Sequence, residues 1–369
     1  MKVLILNEDL KLGGAESMAV ELANGLTALG GIKVFFVASD GELRERFIDG
    51  VDYFSISSFS VFNIPTLIRE LSRIIDQTSP DIIHAQGASV GILAGLSARR
   101  INKNIKIIMT HHSRRFSRMP APIAFFLFKK YCDFFVAISQ SKLQSLLSGG
   151  LPEEKVVLIP NFIDCQKFRE SAGSDTRKDV CHELGIGYES RVVCMTGRLI
   201  PSKRFDKFLE ILNDCAGKTK ENIVGLIVGD GPERGRLESL ADSLMRKNLQ
   251  VIFLGYQKNV ARYLSASDVF LFSSQREVLP MSLIEAAVLG VPIVCSNIPG
   301  NNDVVEQGVN GFLVDQDQDY TDVVLRFING DESIRDMGLH GKKRAEQLFD
   351  QKVVINKIVD VYRRVLGGV

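Results

Sequence analysis

The sequence predicts an α/β protein made of two tandem, doubly wound parallel sheets that face each other across a cleft. Three observations lead there. Short apolar runs recur down the chain as unbroken blocks rather than as alternating positions, amphipathic stretches of helical length lie between most of them, and 369 residues are too many for one ordinary core. Unbroken Val/Ile/Leu/Phe runs fit strands covered on both faces, as in a parallel sheet. Their alternation with helices gives βαβ units.

In the first half the strand candidates are VLIL (3–6), VFFVAS (34–39), DIIHA (81–85), IKIIMT (105–110), FFVAIS (134–139) and VVLIP (156–160). The second half offers RVVCMTG (191–197), VGLIVG (224–229), VIFLG (251–255), VFLFSS (269–274), PIVCS (292–296) and GFLV (311–314). Helices are expected over Glu16–Leu29, Pro65–Gln77, Arg234–Lys247 and Met281–Leu289. The polar segment Asp164–Ser190 reads as linker plus one helix. It divides a domain over 1–164 from one over 165–350, and Val353–Val365 within the terminal segment 351–369 has helical spacing with no strand after it.

Composition narrows the function. Apolar residues make up 45%, charged residues 24%, and net charge is +1, so no global field drives the chain onto nucleic acid. The six cysteines show no CxxC or metal-type spacing and read as reduced core residues. The N-terminus MKVLILNEDL lacks a signal-peptide pattern, and no apolar run is long enough to span a bilayer. A cytoplasmic location is expected.

Ligands of open α/β sheets sit beyond the carboxyl ends of the strands, so those loops carry the candidates. In QREVLPMSLIEAAVLG (275–290), Glu277 and Glu285 flank a helix start at Pro280. Pro suits a first helical turn, and the amides of Met281, Ser282 and Leu283 would point out of the helix end toward an anion. Two carboxylates around an anion site suit a sugar nucleotide; the alternative is two solvated glutamates. Arg198 and Lys203, with Arg204 beside them, leave the strand RVVCMTG and could neutralise a diphosphate, or form a solvated basic turn.

Gly13-Gly14 precedes the first helix and is read either as a phosphate site or as a glycine turn. Neither GxGxxG nor GxxxxGK[ST] occurs there, and the GxGxxxG at Gly229, Gly231 and Gly235 hints only weakly at a dinucleotide. His84 and the pair His111-His112 end two strands of the first half, without the pattern of a zinc site. Imidazoles there could bond sugar hydroxyls or be structural. Across 99–130, Arg114, Arg115, Arg118, Lys129 and Lys130 interleave with Phe116, Met119, Phe125, Phe126 and Phe128. This stretch is read as a contact with an anionic membrane or as a helix with charged ends.

Taken together, GGAE (13–16), THH (110–112), VAIS (136–139), IPNFID (159–164), GRLIPSK (197–203), VGDGP (228–232), FLG (253–255), ExxPMSLIEA (277–286) and PGNNDVVEQGVNGFLV (299–314) resemble the family 4 retaining glycosyltransferases, of GT-B fold with twin Rossmann-like domains. The resemblance implies transfer of a sugar from a nucleotide-sugar donor, a UDP-sugar favoured, with retained configuration and no required metal. The acceptor would be a hydroxyl of a glycan or lipid-linked molecule in surface polysaccharide synthesis.

It assigns Arg198 and Lys203 to the diphosphate, aided by Gly13, Gly14 and the amides of Ser282 and Leu283. Glu285 would hold the ribose hydroxyls and Glu277 the donor sugar. His112 would face sugar and acceptor, with His84 and His111 on the acceptor side. The C-terminal helix would cross back to the first domain. Phe162, Arg204, Val278 and Asp303 depart from the family's pattern. Other readings are an epimerase or phosphorylase of the same fold, an NAD-dependent dehydrogenase, and a non-catalytic nucleotide- or partner-binding subunit.

Overall fold

The computed structural model describes residues 1–60, 62–101, 104–112, 120–173, 177–244, 246–315, 320–334 and 336–367. It divides into two compact units: Met1–Phe162 with Gln351–Val369, and Ile163–Asp350. The division therefore falls just ahead of the polar segment. That segment belongs to the second unit and carries two helices, Cys165–Ser171 and Arg177–Glu183, where one was expected.

The first unit holds a sheet of β1 (Lys2–Asp9), β2 (Lys33–Ser39), β3 (Val51–Ser55), β4 (Ile82–Ala85), β5 (Lys106–His111), β6 (Phe134–Ala137) and β7 (Val156–Leu158). Its seven strands run in the order β3-β2-β1-β4-β5-β6-β7, and every paired register is parallel. Val3, Leu4, Ile5 and Leu6 are all 0% exposed. Successive residues point to opposite faces, so burial of all four means helices cover both.

One strand went unforeseen. β3, with sequence VDYFS, is half-exposed along most of its length. It lies at the sheet's edge, where one flank needs no apolar cover, so polar Asp52 and Ser55 hide it from a search for apolar runs.

The second unit holds β8 (Arg191–Thr196), β9 (Ile223–Val228), β10 (Leu249–Gly255), β11 (Val269–Phe272), β12 (Ile293–Ser296) and β13 (Gly311–Val314). These six strands follow the order β10-β9-β8-β11-β12-β13, again with parallel registers. All six match predicted runs.

The strand order reverses between β1 and β4 in one sheet and between β8 and β11 in the other. At such a switch point the two following loops turn to opposite faces and leave a crevice. In the first unit those loops begin at Leu10 and Gln86. In the second they carry Gly197–Arg204 and Ser273–Pro280. The helix Gln351–Val365 packs within the first unit: a Cβ placed on Gly25 would collide with Ile355, and Tyr362 is fully buried.

Candidate active site

The second switch point brings together the loops that carry Lys203 and Glu277. β8 and β11 pair with Val269 opposite Val193 and Phe270 opposite Cys194, so both strands end level. The two loops beyond are then sewn to each other. Gln275 donates its backbone N–H to the Ser202 carbonyl at 2.9 Å, Ser274 Oγ bonds the same oxygen at 3.1 Å, and Ser273 Oγ donates to the Arg204 carbonyl at 2.8 Å.

This stitching sets Lys203 Nζ 2.6 Å from Glu277 Oε1, which also accepts from Ser274 Oγ at 2.6 Å. The pair is well shielded, its side chains 21% and 11% exposed, and Lys203 lies over the Phe272 ring at 4.9 Å. The sequence assigned these residues to separate parts of a donor; in the structure they hold each other. Arg198 is exposed, and its guanidinium has no hydrogen-bond or ion-pair partner among the described residues. Its neighbour Leu199 is fully buried and anchors the loop, so the guanidinium projects from a fixed base.

The helix Met281–Val288 starts after Pro280 and buries Leu283, Ile284, Ala286, Ala287 and Val288. Ser282 lies in its open first turn. The Leu283 amide, expected to be free for an anion, donates instead to the Pro280 carbonyl at 3.3 Å. The turn tightens after proline, which leaves Met281 and Ser282 as the amides without an intrahelical acceptor. Glu285 is half-buried, and no described residue bonds its carboxylate. Burial raises its pKa to about 7.

Arg204 adopts a left-handed conformation, φ 57° and ψ 47°. An L side chain there costs roughly 1–2 kcal/mol that glycine would avoid. The Arg204 guanidinium bonds the Asp206 carboxylate at 2.9 Å, which partly offsets the strain.

The glycines divide by role. A Cβ on Gly229 or Gly231 would strike the backbone carbonyl of Gly197 or Leu199, so these two permit contact between the loops after β8 and β9. That removes the dinucleotide hint. At the first helix, Gly14–Ala28, a Cβ on Gly13 would meet the Glu16 carboxylate, which folds back over the helix start, whereas Gly14 faces open space. The position expected to attract a phosphate thus holds the protein's own carboxylate. Burial, with Asp9 and Glu8 nearby, raises the Glu16 pKa.

The three histidines also separate. His84, 1% exposed, has both ring nitrogens engaged: Nδ1 lies 2.6 Å from Tyr362 Oη and Nε2 2.6 Å from Thr110 Oγ1. His111 is 0% exposed at the end of β5. Burial lowers both pKa values to about 3, and His84 lines the same small cavity as His112. His112 is only partly buried and lies 2.8 Å through Nε2 from Gln86 Oε1; burial lowers its pKa to about 4. Gln86, Ser274, Glu16 and Tyr362 were not singled out from the sequence. Gln86 and Ser274 each stand just past a strand end, where an ordinary polar residue gives little signal.

In the segment proposed for membrane contact, Arg114, Arg115, Phe116, Arg118 and Met119 lie outside the described residues. The helix Ala121–Tyr131 buries Ala124, Phe125 and Phe128 and exposes Ile123 and Phe126 at 51% and 63%. Among the described residues no helix is long and apolar enough to cross a membrane, and no cluster could hold a metal. All six cysteines are buried and none is in a disulfide.

Two family models match the chain: Glycosyltransferase Family 4 over residues 12–167 and Glycosyl transferases group 1 over 177–344. The N-acetyl-alpha-D-glucosaminyl L-malate synthase of Bacillus anthracis is 24% identical over 96% of this chain and 95% of its own length. The UDP-Gal:alpha-D-GlcNAc-diphosphoundecaprenol alpha-1,3-galactosyltransferase of Escherichia coli is 27% identical over 83% of this chain and 84% of its own. Among solved structures, Anabaena HepE in complex with UDP superposes with a TM-score of 0.84 at 21% identity, covering 99% of this chain and 100% of that one. Matched in both halves and sharing the two-sheet architecture, the chain belongs to the family 4 glycosyltransferases of GT-B fold.

Proposed function

We propose that the enzyme transfers a hexosyl group, with retained configuration and without a metal, from a UDP-sugar to a hydroxyl of a glycan or lipid-linked acceptor in polysaccharide synthesis. The observation that carries this reading is the cluster at the second switch point: a shielded Lys203–Glu277 pair, a free Arg198 and an unbonded Glu285 carboxylate. The bond between the anomeric carbon and the diphosphate oxygen breaks, and negative charge grows on the departing phosphate. Arg198 and Lys203 neutralise it, a fixed electrostatic contribution that needs no reorganisation during the reaction.

Diphosphate competes with Glu277 for Lys203. Glu277, released, accepts hydrogen bonds from the sugar, while Glu285 accepts from the ribose hydroxyls. The amide of Ser282 and the glycines Gly13 and Gly14 border the phosphates, Gly13 once Glu16 has moved aside. The acceptor oxygen bonds to the anomeric carbon on the face the phosphate leaves, and its proton passes to the leaving phosphate oxygen. His112 faces the sugar and acceptor. The HepE complex supports UDP as the nucleotide, and the galactosyltransferase relative supports an acceptor on undecaprenyl diphosphate. Exposed Phe126 and Ile123 beside Lys129 and Lys130 suit contact with the inner face of an anionic membrane.

A thermal-shift panel of UDP, GDP, ADP, CMP and NAD in EDTA tests the donor site. Stabilisation by UDP alone is expected; stabilisation by NAD alone overturns the reading. Flotation with anionic liposomes at low salt tests the membrane contact, which absence of binding would exclude.

A further inference from the structure

Gln86 and His112 stand just beyond the ends of neighbouring strands, β4 and β5, which pair with Ala85 opposite Met109. The Gln86 backbone N–H also donates to the Leu6 carbonyl at 2.8 Å, so its place is fixed from β1 as well. Its side chain is 7% exposed. The Gln86 Oε1 that faces His112 Nε2 can only accept, so Nε2 must carry the proton. A neutral ring with its proton on Nε2 has a bare lone pair on Nδ1.

Two polar atoms are then left over. His112 Nδ1 and Gln86 Nε2 are buried and have no hydrogen-bond partner among the described residues. Both residues line a cavity of about 20 Å³ together with Thr110, Asn161 and Phe162. That volume holds about one oxygen-sized group. The bare Nδ1 matches the proton of a single hydroxyl, which it can accept.

We propose that Gln86 is a positioning residue: it holds His112 as the Nε2–H tautomer and so presents Nδ1 as the acceptor for one sugar hydroxyl. That the hydroxyl belongs to a sugar rests on the proposed transfer reaction; the tautomer does not. The titratable groups nearby are His84 and His111, both kept neutral by burial, with Lys142 next to His111. Neither histidine supplies the acceptor that Gln86 Oε1 provides.

Long-range ¹⁵N NMR of the histidine-labelled full chain reads the tautomer directly, with His112→Asn assigning the signal. At neutral pH the wild type should show a protonated Nε2 and a bare Nδ1. Gln86→Leu should mix the two tautomers. Gln86→Glu keeps the acceptor, so it should keep the tautomer and raise the midpoint of His112 by at least about one unit, as a carboxylate favours the imidazolium. With a UDP-sugar that turns over, kcat of Gln86→Leu should fall roughly tenfold with KM little changed, the scale of one buried hydrogen bond. A proton on Nδ1 in the wild type, or an unchanged tautomer in Gln86→Leu, overturns the proposal. If no UDP-sugar turns over, the donor reading fails and the NMR result still decides the role of Gln86.

Discussion

Lys203 Nζ lies 2.6 Å from Glu277 Oε1, joining two charges that are 74 residues apart in the chain. Each is the other's partner in the unliganded enzyme, and Ser274 Oγ donates to the same carboxylate oxygen. Removing either charge strands the other in a shielded place. Lys203→Met and Glu277→Gln should each destabilise the protein by about 1–3 kcal/mol, since breaking such a pair costs more than the pair contributes. The double variant should cost less than the sum by about 1–2 kcal/mol. Urea titrations of the four proteins measure this; strict additivity would mean that the two charges do not meet in solution.

Arg198 offers the opposite case. It is exposed and unpartnered among the described residues, so Arg198→Ala should leave stability within about 0.5 kcal/mol. Turnover should nevertheless fall by roughly 10²–10³, the cost of one lost charge-stabilising donor. Steady-state kinetics beside a melting curve separates the two effects. Wild-type turnover would remove Arg198 from the diphosphate site.

Glu285 links nucleotide binding to pH. Its pKa is raised by burial to about 7, so the carboxylate is only partly ionised near neutrality. Ionised Glu285 is the stronger acceptor for ribose hydroxyls, and UDP affinity should rise as pH climbs through about 7. The same raised pKa favours the fold below the carboxylate's unfolded value, an advantage lost as pH rises through the folded one. Glu285→Gln should therefore flatten the pH dependence of UDP binding and stabilise the free enzyme in alkali by about 1–3 kcal/mol. Calorimetric titrations across pH test it, with the variant controlling for the nucleotide's own ionisation.

The three histidines at the strand ends of the first unit act with the other sign. Their folded pKa values of about 3, 3 and 4 lie below the ordinary 6.5, so stability is full above that value. As pH falls below it, the unfolded chain binds protons that the fold excludes, and each ring removes up to about 1.4 kcal/mol per pH unit. Chemical denaturation between neutral and mildly acid pH should show this decline, with a shallower slope in His84→Gln. An unchanged slope would mean that His84 is not kept neutral by the fold.

Much of the architecture was legible in the chain. Unbroken apolar runs betray strands buried on both faces, and twelve of the thirteen strands in the two sheets coincide with such runs. β3 escaped because an edge strand needs less apolar cover. The residue types of the donor cluster were also legible, since charged groups next to strand ends and a proline-started helix have a chemistry of their own.

The sequence by itself determined that Arg198, Lys203 and Glu277 sit in segments beyond strand ends, and Glu285 in the helix that follows. Only the tertiary structure decided which of them pair, because the pairing follows from strand order: β8 and β11 are neighbours although β9 and β10 lie between them in the chain. It likewise decided that His84 is bound by Tyr362 while His112 is turned to Gln86. A histidine's role depends on which groups reach its two nitrogens, and those groups arrive from distant segments that local spacing does not record.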